Sequence, residues 1–304
     1  MKLENTLGFI IILLFTNNIY SYNSDNLCEK LINNGDNLAA IEAANKISSH
    51  YDKNFCLGKA YLNENMHQQS IKAFQESEKH ADLPADQMFS ILYKGTAERA
   101  LGQINTSSKT FTRGLETAKL GNSKYIEMEH RFLFQLGKST LAEEKYDDSV
   151  DYFSKSIVTS FNDNDRADGY KGLSSAYYGK KKLGKAIEYA LKASNMYLKT
   201  GALNQYADLQ VILSSYHLKD GAPDRSLKNL IKLERFAVDN GSQYYEAKAL
   251  LEQSLVSKTI GDSLKADATF KKGNSIAKAI GAKDLLLIKS DILFYIIYII
   301  RSKI

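Results

Sequence analysis

The feature that most constrains this chain is a pair of residues that recurs six times at nearly even spacing. Each pair is a serine or alanine followed four residues later by a phenylalanine, a leucine or an alanine. Neighbouring pairs are 37 to 42 residues apart, with second members Phe74, Phe111, Phe153, Ala190, Leu230 and Phe270. Residues three and four apart share one face of a helix, so each recurrence predicts one apolar stripe. One helix pair cannot bury its stripe alone, so the spacing predicts a stack of helix pairs.

The remaining pattern favours helix throughout. The chain has only 2 prolines, and an interior proline costs a helix about 3 kcal/mol. Turn signals such as Gly102-Gln103, Asp220-Gly221 and Gly261-Asp262 fall between the two helices of a pair. No alternation of apolar and polar residues is long enough to indicate a strand. We therefore predict an all-α solenoid of antiparallel helix pairs.

Two stretches resemble the tetratricopeptide repeat (TPR) family. They are Leu57-Gly58-x-x-Tyr61 with Ser70 and Phe74, and Leu173-Ser174-x-x-Tyr177 with Ala186 and Ala190. The repeats are longer than the usual 34 residues, so they look like a longer-repeat subclass. The resemblance implies a right-handed superhelix whose first helices line a concave groove that binds peptides or proteins.

Four segments follow from these patterns. We predict a signal peptide at 1–21, an N-terminal helical cap or degenerate repeat at 22–52, six TPR-like pairs at 53–283 and a hydrophobic C-terminal helix at 284–304. The apolar run from Leu7 to Phe15 is too short to span a bilayer comfortably, so a signal peptide is favoured over an uncleaved anchor. We expect an exported protein that is periplasmic or extracellular, either free or associated with a membrane.

Export changes how the 2 cysteines are interpreted. Cys28 and Cys56 could form a disulfide in an oxidising compartment, or they could be two separate buried thiols. A metal site is not expected, because the chain has no CxxC and no two histidines four residues apart. No cofactor is expected either, since no glycine-rich nucleotide loop or GxSxG is present. These absences favour a binding protein over an enzyme.

The resemblance also implies which side chains line the groove, counted from the central Gly or Ser of each first helix. In the fifth unit the count starts from Leu213. The partner-binding candidates are Phe55, Lys59, Arg99, Arg131, Phe134, Lys138, Lys171, Tyr178, His217, Lys248 and Lys258. Most are basic, so an acidic peptide or protein segment is the expected ligand, although charged helix faces are often merely solvated. Export disfavours nucleic acid, and the net charge of +5 does not indicate it.

The stretch Ile292–Ile300 is apolar on every helix face. Such a patch at the end of a solenoid predicts self-association, a docking or membrane-touching helix, or a truncated membrane span. The sequence therefore predicts a non-enzymatic scaffold for protein interactions. The alternative is the extracytoplasmic TPR sensor region of a membrane-anchored signalling protein.

Overall fold

The computed structural model describes residues 27–286, and every regular element in that range is a helix. The chain begins with two short helices, α1 (Leu27–Asn33) and α2 (Asn37–Ala44). We call this pair the cap. The signal peptide predicted at 1–21 and the apolar run Ile292–Ile300 lie outside the described residues.

Six longer helix pairs follow the cap, here called units 1 to 6. They are α3 (His50–Asn63) with α4 (His67–Lys79), α5 (Pro84–Ala100) with α6 (Ile104–Leu120), α7 (Ile126–Ala142) with α8 (Tyr146–Val158), α9 (Asp163–Gly179) with α10 (Leu183–Thr200), α11 (Leu203–Lys219) with α12 (Pro223–Asp239), and α13 (Gln243–Thr259) with α14 (Ser263–Ala279). A short 3-10 helix, Asn122–Tyr125, leads into α7.

Each helix packs against the helix before it and the helix after it, which is the arrangement of a solenoid. First helices also contact the first helices of neighbouring units, as α3 does with α5, α5 with α7, α7 with α9, and α11 with α13. The first helices therefore form one layer and the second helices another. We call the solvent-facing side of the first-helix layer the inner wall. The predicted fold class, an all-α solenoid of helix pairs, is confirmed.

The recurring phenylalanine fills the space where two units meet. Phe153 on α8 is 1% exposed and lies against Gly137 of α7 and Gly172 of α9. A Cβ added at Gly137 or Gly172 would approach the ring to 2.8 Å or 2.5 Å, closer than Cβ atoms pack. Glycine at these two positions is what lets both first helices approach the ring.

In units 1 and 3 the recurring serine closes the crossing between the two helices of the unit. Ser70 Oγ donates to the Gly58 carbonyl at 2.9 Å, and Ser149 Oγ donates to the Gly137 carbonyl at 3.0 Å. In unit 4 the hydroxyl is on the first helix, where Ser174 Oγ donates to the Ala186 carbonyl at 2.8 Å. Small residues recur here because the backbones are close enough for a hydroxyl to bridge them.

The cap is fastened to unit 1 by two contacts. Cys28 on α1 and Cys56 on α3 form a disulfide, with Cα atoms 6.4 Å apart, within the range that a disulfide spans. The Lys59 ammonium contacts the Glu29 carboxylate of α1. Within residues 27–286, no helix combines the length and the apolar character that a membrane crossing requires.

Candidate functional site

In units 1, 3 and 4 a hydroxyl contact between the paired helices marks the central residue of the first helix, which is Gly58, Gly137 or Ser174. Ser214 Oγ lies 2.7 Å from Ser226 Oγ, in the position that Ser174 Oγ holds against α10. Ser214, and not Leu213, is therefore the central residue of α11. Counting from Leu213 in place of Ser214 moves every predicted groove position on α11 by about 100° around the helix axis.

This shift corrects the assignment of His217 to the groove. His217 is only 8% exposed, and burial lowers its pKa below the usual value. Recounted from Ser214, the inner wall of unit 5 presents Val211 and Ser215, of which Ser215 is exposed.

Phe55 is also corrected, because it belongs to the core. It is 4% exposed, and its ring meets Phe74 and Tyr93 edge-on at centroid distances of 5.6 Å and 5.5 Å. Tyr93 of α5 is the partly exposed ring of this cluster. The aromatic surface at this end of the wall is therefore smaller than the sequence predicts.

Three of the predicted cations are neutralised by carboxylates within the chain. Lys59 contacts Glu29 of the cap, and Arg131 Nη2 lies 2.7 Å from Glu127 Oε1 on the same helix. Lys248 Nζ lies 2.9 Å from Asp208 Oδ1, on the neighbouring first helix. These pairs reduce the basic character of the two ends of the wall, at Lys59 and Lys248, and of the first half of α7, at Arg131.

Two further candidates lie against aromatic rings. The Tyr178 ring of α9 is partly exposed and stacks on Tyr216 of α11 at a centroid distance of 4.8 Å. Lys219, which the sequence analysis did not single out, holds its ammonium 4.6 Å from the Tyr178 centroid. Lys258 lies 5.8 Å from the centroid of Phe270 in the last unit.

The centre of the inner wall differs from its ends. Arg99 of α5, Lys138 of α7 and Lys171 of α9 come from three successive first helices, and we call them the central trio. Over residues 27–286, no carboxylate oxygen lies within 4 Å of any of their nitrogens. Phe134, one turn before Lys138, adds a partly exposed ring whose centroid lies 5.7 Å from the Lys138 ammonium.

The guanidinium of Arg99 is held in place by α7. Its Nη2 donates to Gln135 Oε1 at 2.6 Å and its Nη1 donates to the Gln135 carbonyl at 3.3 Å. Its central carbon lies 5.5 Å from the centroid of the Phe111 ring. Burial lowers the pKa of Arg99, which still leaves an arginine charged.

The Lys138 side chain is exposed to solvent on the inner wall. Desolvation by the surrounding wall lowers the pKa of Lys138, and the positive charges of Arg99 and Lys171 lower it further. Asp168 opposes this effect but also accepts a hydrogen bond from the buried hydroxyl of Tyr197. The trio is therefore a cluster of like charges whose members affect one another.

The wall becomes more acidic past the trio. Asp208 forms the ion pair with Lys248. Burial raises the pKa of Glu252 on α13, because it disfavours the charged form of the carboxyl group. Glu252 lies two residues before Ser254, as Gln135 lies two before Gly137. The family pattern does not predict Glu252 or Gln135, because both lie at a helix position that the pattern does not mark.

The arrangement suits binding. Within residues 27–286, no three histidine, cysteine or carboxylate side chains are grouped so that they could hold a metal ion. What the inner wall offers is a cationic centre flanked by the partly exposed rings of Phe134 and Tyr178. Such a surface can attract an anionic segment and provide apolar contact area.

Comparison with known proteins gives a clear result only at the level of structure. No protein-family model and no curated protein matches the sequence. A STAND-type signal transduction ATPase with a tetratricopeptide repeat sensor, from Pyrococcus horikoshii, superposes with a TM-score of 0.67 at 15% identity, over 85% of this chain and 42% of the other. This chain therefore spans less than half the length of that protein.

Two other solved structures are similar. A Rap protein complexed with Competence and Sporulation Factor gives a TM-score of 0.62 at 12% identity, covering 86% of this chain and 75% of that one. A putative kinesin light chain from Podospora anserina, with nearly identical TPR-like repeats, gives a TM-score of 0.57 at 13% identity, covering 67% of this chain and all of that one. At these identities the likeness concerns the fold alone, and the fold of this chain is a TPR-like helical solenoid.

Proposed function

We propose that this protein is a non-enzymatic scaffold that binds an acidic, extended or helical segment of a partner protein on its inner wall. The observation that carries the proposal is the central trio, three cations with no carboxylate within 4 Å among the described residues. Phe134 and Tyr178 supply partly exposed apolar surface beside them. The structure of a Rap protein complexed with Competence and Sporulation Factor supports a binding role for this type of fold.

The central trio can contribute only part of the binding free energy, because it contains only three cations. An exposed ion pair contributes only about 0–1 kcal/mol, so one contact cannot hold a partner. Several charges acting together, with apolar contacts between them, are required. Binding should weaken as the salt concentration rises above the physiological range, because salt screens exposed charges.

We also propose that the protein acts outside the cytoplasm. The apolar run Leu7–Phe15 supports export, and the Cys28–Cys56 disulfide suits an oxidising compartment. Fractionation of the host, with mass spectrometry of the mature ends, tests this. Recovery only from the cytoplasm with residues 1–21 retained would contradict it.

A second candidate function is the sensor region of a membrane-anchored signalling protein. It is favoured by the similarity to a STAND protein whose repeats are described as a sensor. The apolar run Ile292–Ile300 is the candidate anchor. Recovery of the intact chain from the soluble extracytoplasmic fraction favours the scaffold, and recovery only with membranes favours the sensor.

The inner wall can be tested with a pair of matched substitutions. Ser215 is exposed on the inner wall, so Ser215→Trp places a large ring in the groove. Ser154 is exposed on the second-helix layer, so Ser154→Trp adds the same ring elsewhere. Both variants should fold like the wild type by circular dichroism.

Capture of partners from the native host, quantified by mass spectrometry, then shows which of the two helix layers binds them. We expect Ser215→Trp to lose most captured protein and Ser154→Trp to retain it. The opposite pattern, or equal capture by both, would place the binding surface away from the inner wall. Capture of nucleic acid in place of protein would contradict the proposed partner class.

A further inference from the structure

The second helices of units 4 to 6 are more basic than those of units 1 to 3. The exposed side chains of α10, α12 and α14, here called the outer patch, include ten lysines and arginines and four carboxylates. On α4, α6 and α8 the exposed side chains include six cations and five carboxylates. A merely solvated helix face mixes both signs, as those three helices do. The positive charge of the second-helix layer is therefore concentrated in its C-terminal half.

Most cations of the outer patch are not neutralised within the chain. Three of the ten, Lys192, Lys199 and Lys272, have a carboxylate oxygen within 4 Å. The other seven have no carboxylate oxygen of residues 27–286 within that distance. The patch therefore presents a net positive charge to whatever lies against this side of the protein.

The outer patch also exposes five aliphatic side chains. Leu191 and Leu198 lie two turns apart on α10, and Ile231 and Val238 lie at the equivalent places of α12, 40 positions later. These four side chains are 44–54% exposed, and Leu264 of α14 is 88% exposed. The second helices of units 1 to 3 expose large aliphatic side chains only at the last residues of α6 and α8. Aliphatic and cationic side chains are therefore combined on the same three helices.

The patch lies on the convex side of the solenoid. First helices contact one another across units, but no comparable contact joins two second helices of the described residues. The second helices are therefore the more widely spaced layer, and a stack of helix pairs curves away from that layer. A convex surface does not enclose a peptide, and it suits a partner that is itself a broad surface.

From these features we infer that the outer patch lies on a lipid bilayer that contains anionic phospholipid. Lysines and arginines are attracted to anionic headgroups, and aliphatic side chains gain free energy by entering the boundary between headgroups and acyl chains. Nucleic acid also offers phosphates, but proteins bind its bases by aromatic stacking, for which aliphatic side chains are unsuited. The inner wall then faces away from the bilayer, so a partner and the membrane can be bound together.

The test is flotation of the full chain with two kinds of vesicle, one of phosphatidylcholine alone and one with about one third phosphatidylglycerol. We expect at least about tenfold tighter binding to the anionic vesicles, and the difference should shrink as the salt concentration rises. The apolar runs Leu7–Phe15 and Ile292–Ile300 can also enter a bilayer. Neither run contains a charged residue, so neither run explains a preference for anionic lipid.

Charge reversal on the outer patch tests the electrostatic part. Lys228→Glu combined with Lys271→Glu changes two exposed cations of α12 and α14. Lys72→Glu combined with Lys109→Glu, at exposed lysines of α4 and α6, is the control and changes the net charge equally. We expect the outer pair to weaken binding to anionic vesicles about thirtyfold or more, because each cation beside an anionic surface contributes about fivefold. The control pair should bind nearly as the wild type does.

Polar substitution tests the apolar part without changing the charge. Leu191→Ser combined with Ile231→Ser removes two half-exposed aliphatic side chains from the patch. Leu120→Ser combined with Val158→Ser removes two exposed aliphatic side chains from units 2 and 3. We expect about tenfold weaker vesicle binding from the first pair and little change from the second. All four variants should fold like the wild type by circular dichroism.

Three outcomes would overturn the assignment of the outer patch to an anionic bilayer. The first is equal affinity of the wild type for the two kinds of vesicle. The second is equal binding by the outer and control charge variants, which would assign membrane contact to the apolar runs. The third is a wild-type protein that binds duplex DNA but neither vesicle, which would make the patch a site for a soluble polyanion. Partner capture by the outer charge variant tests the inner wall separately, because membrane contact does not depend on what that wall binds.

Discussion

Phe153 gives the most direct test of the packing. It is 1% exposed, lies against Gly137 and Gly172, and has Phe134 at a centroid distance of 5.6 Å. Phe153→Ala removes about 100 Å² of buried apolar surface, worth about 2.5 kcal/mol. Because glycines on two sides have no side chains to refill the gap, a cavity of about 60 Å³ adds about 1.5 kcal/mol. We expect a total loss of about 4 kcal/mol.

The assay is urea unfolding followed by circular dichroism, with Phe161→Ala as the matched control. Phe161 is 59% exposed, so its truncation should change the free energy of unfolding by no more than about 0.5 kcal/mol. If Phe153→Ala is no more destabilising than Phe161→Ala, the assignment of Phe153 to the junction between units is wrong.

A second substitution tests the same contact from the opposite side. Gly172→Ala places a Cβ 2.5 Å from the Phe153 ring and should destabilise the protein by about 1–3 kcal/mol. Combining it with Phe153→Leu should cost less than the sum of the two single changes, because the smaller side chain makes room for the methyl group. Strict additivity would show that the two residues do not share a contact.

The remaining predictions concern the disulfide, the C-terminal segment and the response to alkali. In exported material, thiol labelling under denaturing, non-reducing conditions should find neither Cys28 nor Cys56 free, and labelling of both would contradict the bridge. Removing the residues after Leu286, which keeps the buried Leu285 in place, should raise solubility and abolish self-association; unchanged sedimentation would count against an adhesive C-terminal segment. Burial and the hydrogen bond to Asp168 raise the pKa of Tyr197, so its stabilising contribution is complete below pH 10 and is lost as the pH rises further; the free energy of unfolding should fall above about pH 10, and less steeply in Tyr197→Phe.

The sequence predicts the fold well because the fold depends on local spacing. The recurring serines and phenylalanines lie where two backbones approach closely, and few residue types fit there. The fifth unit has no glycine at its centre, and Leu213 and Ser214 both resemble a central residue in the pattern. In the other five units the central residue lies 12 positions before the recurring small residue, and this spacing also selects Ser214, as the contact with Ser226 does. One residue of error moves His217 from the core to the groove.

The candidate site is less predictable because charge pairing depends on distant residues. The carboxylates that neutralise Lys59 and Lys248 lie 30 and 40 positions earlier in the chain, on other helices. The positions of these lysines on their helices predict that they face the inner wall. They do not predict that each lysine forms an ion pair with a carboxylate of another helix. Phe55 is mispredicted for the same reason. Its helix position is one that the family pattern assigns to the groove, but contacts with Phe74 and Tyr93 of other helices bury its ring.

The hydroxyl at the helix crossings of units 1, 3 and 4 has a consequence for how such chains diverge in sequence. It comes from the second helix in Ser70 and Ser149 and from the first helix in Ser174, yet it bridges the same two backbones. Glycine, alanine and serine differ by at most two heavy atoms. Stepwise substitution by way of alanine can therefore move the hydroxyl from one helix to the other while the two helices stay equally close. Many such exchanges erase sequence similarity and preserve shape. A solenoid of this kind can therefore share its fold with structures to which it is only 12–15% identical.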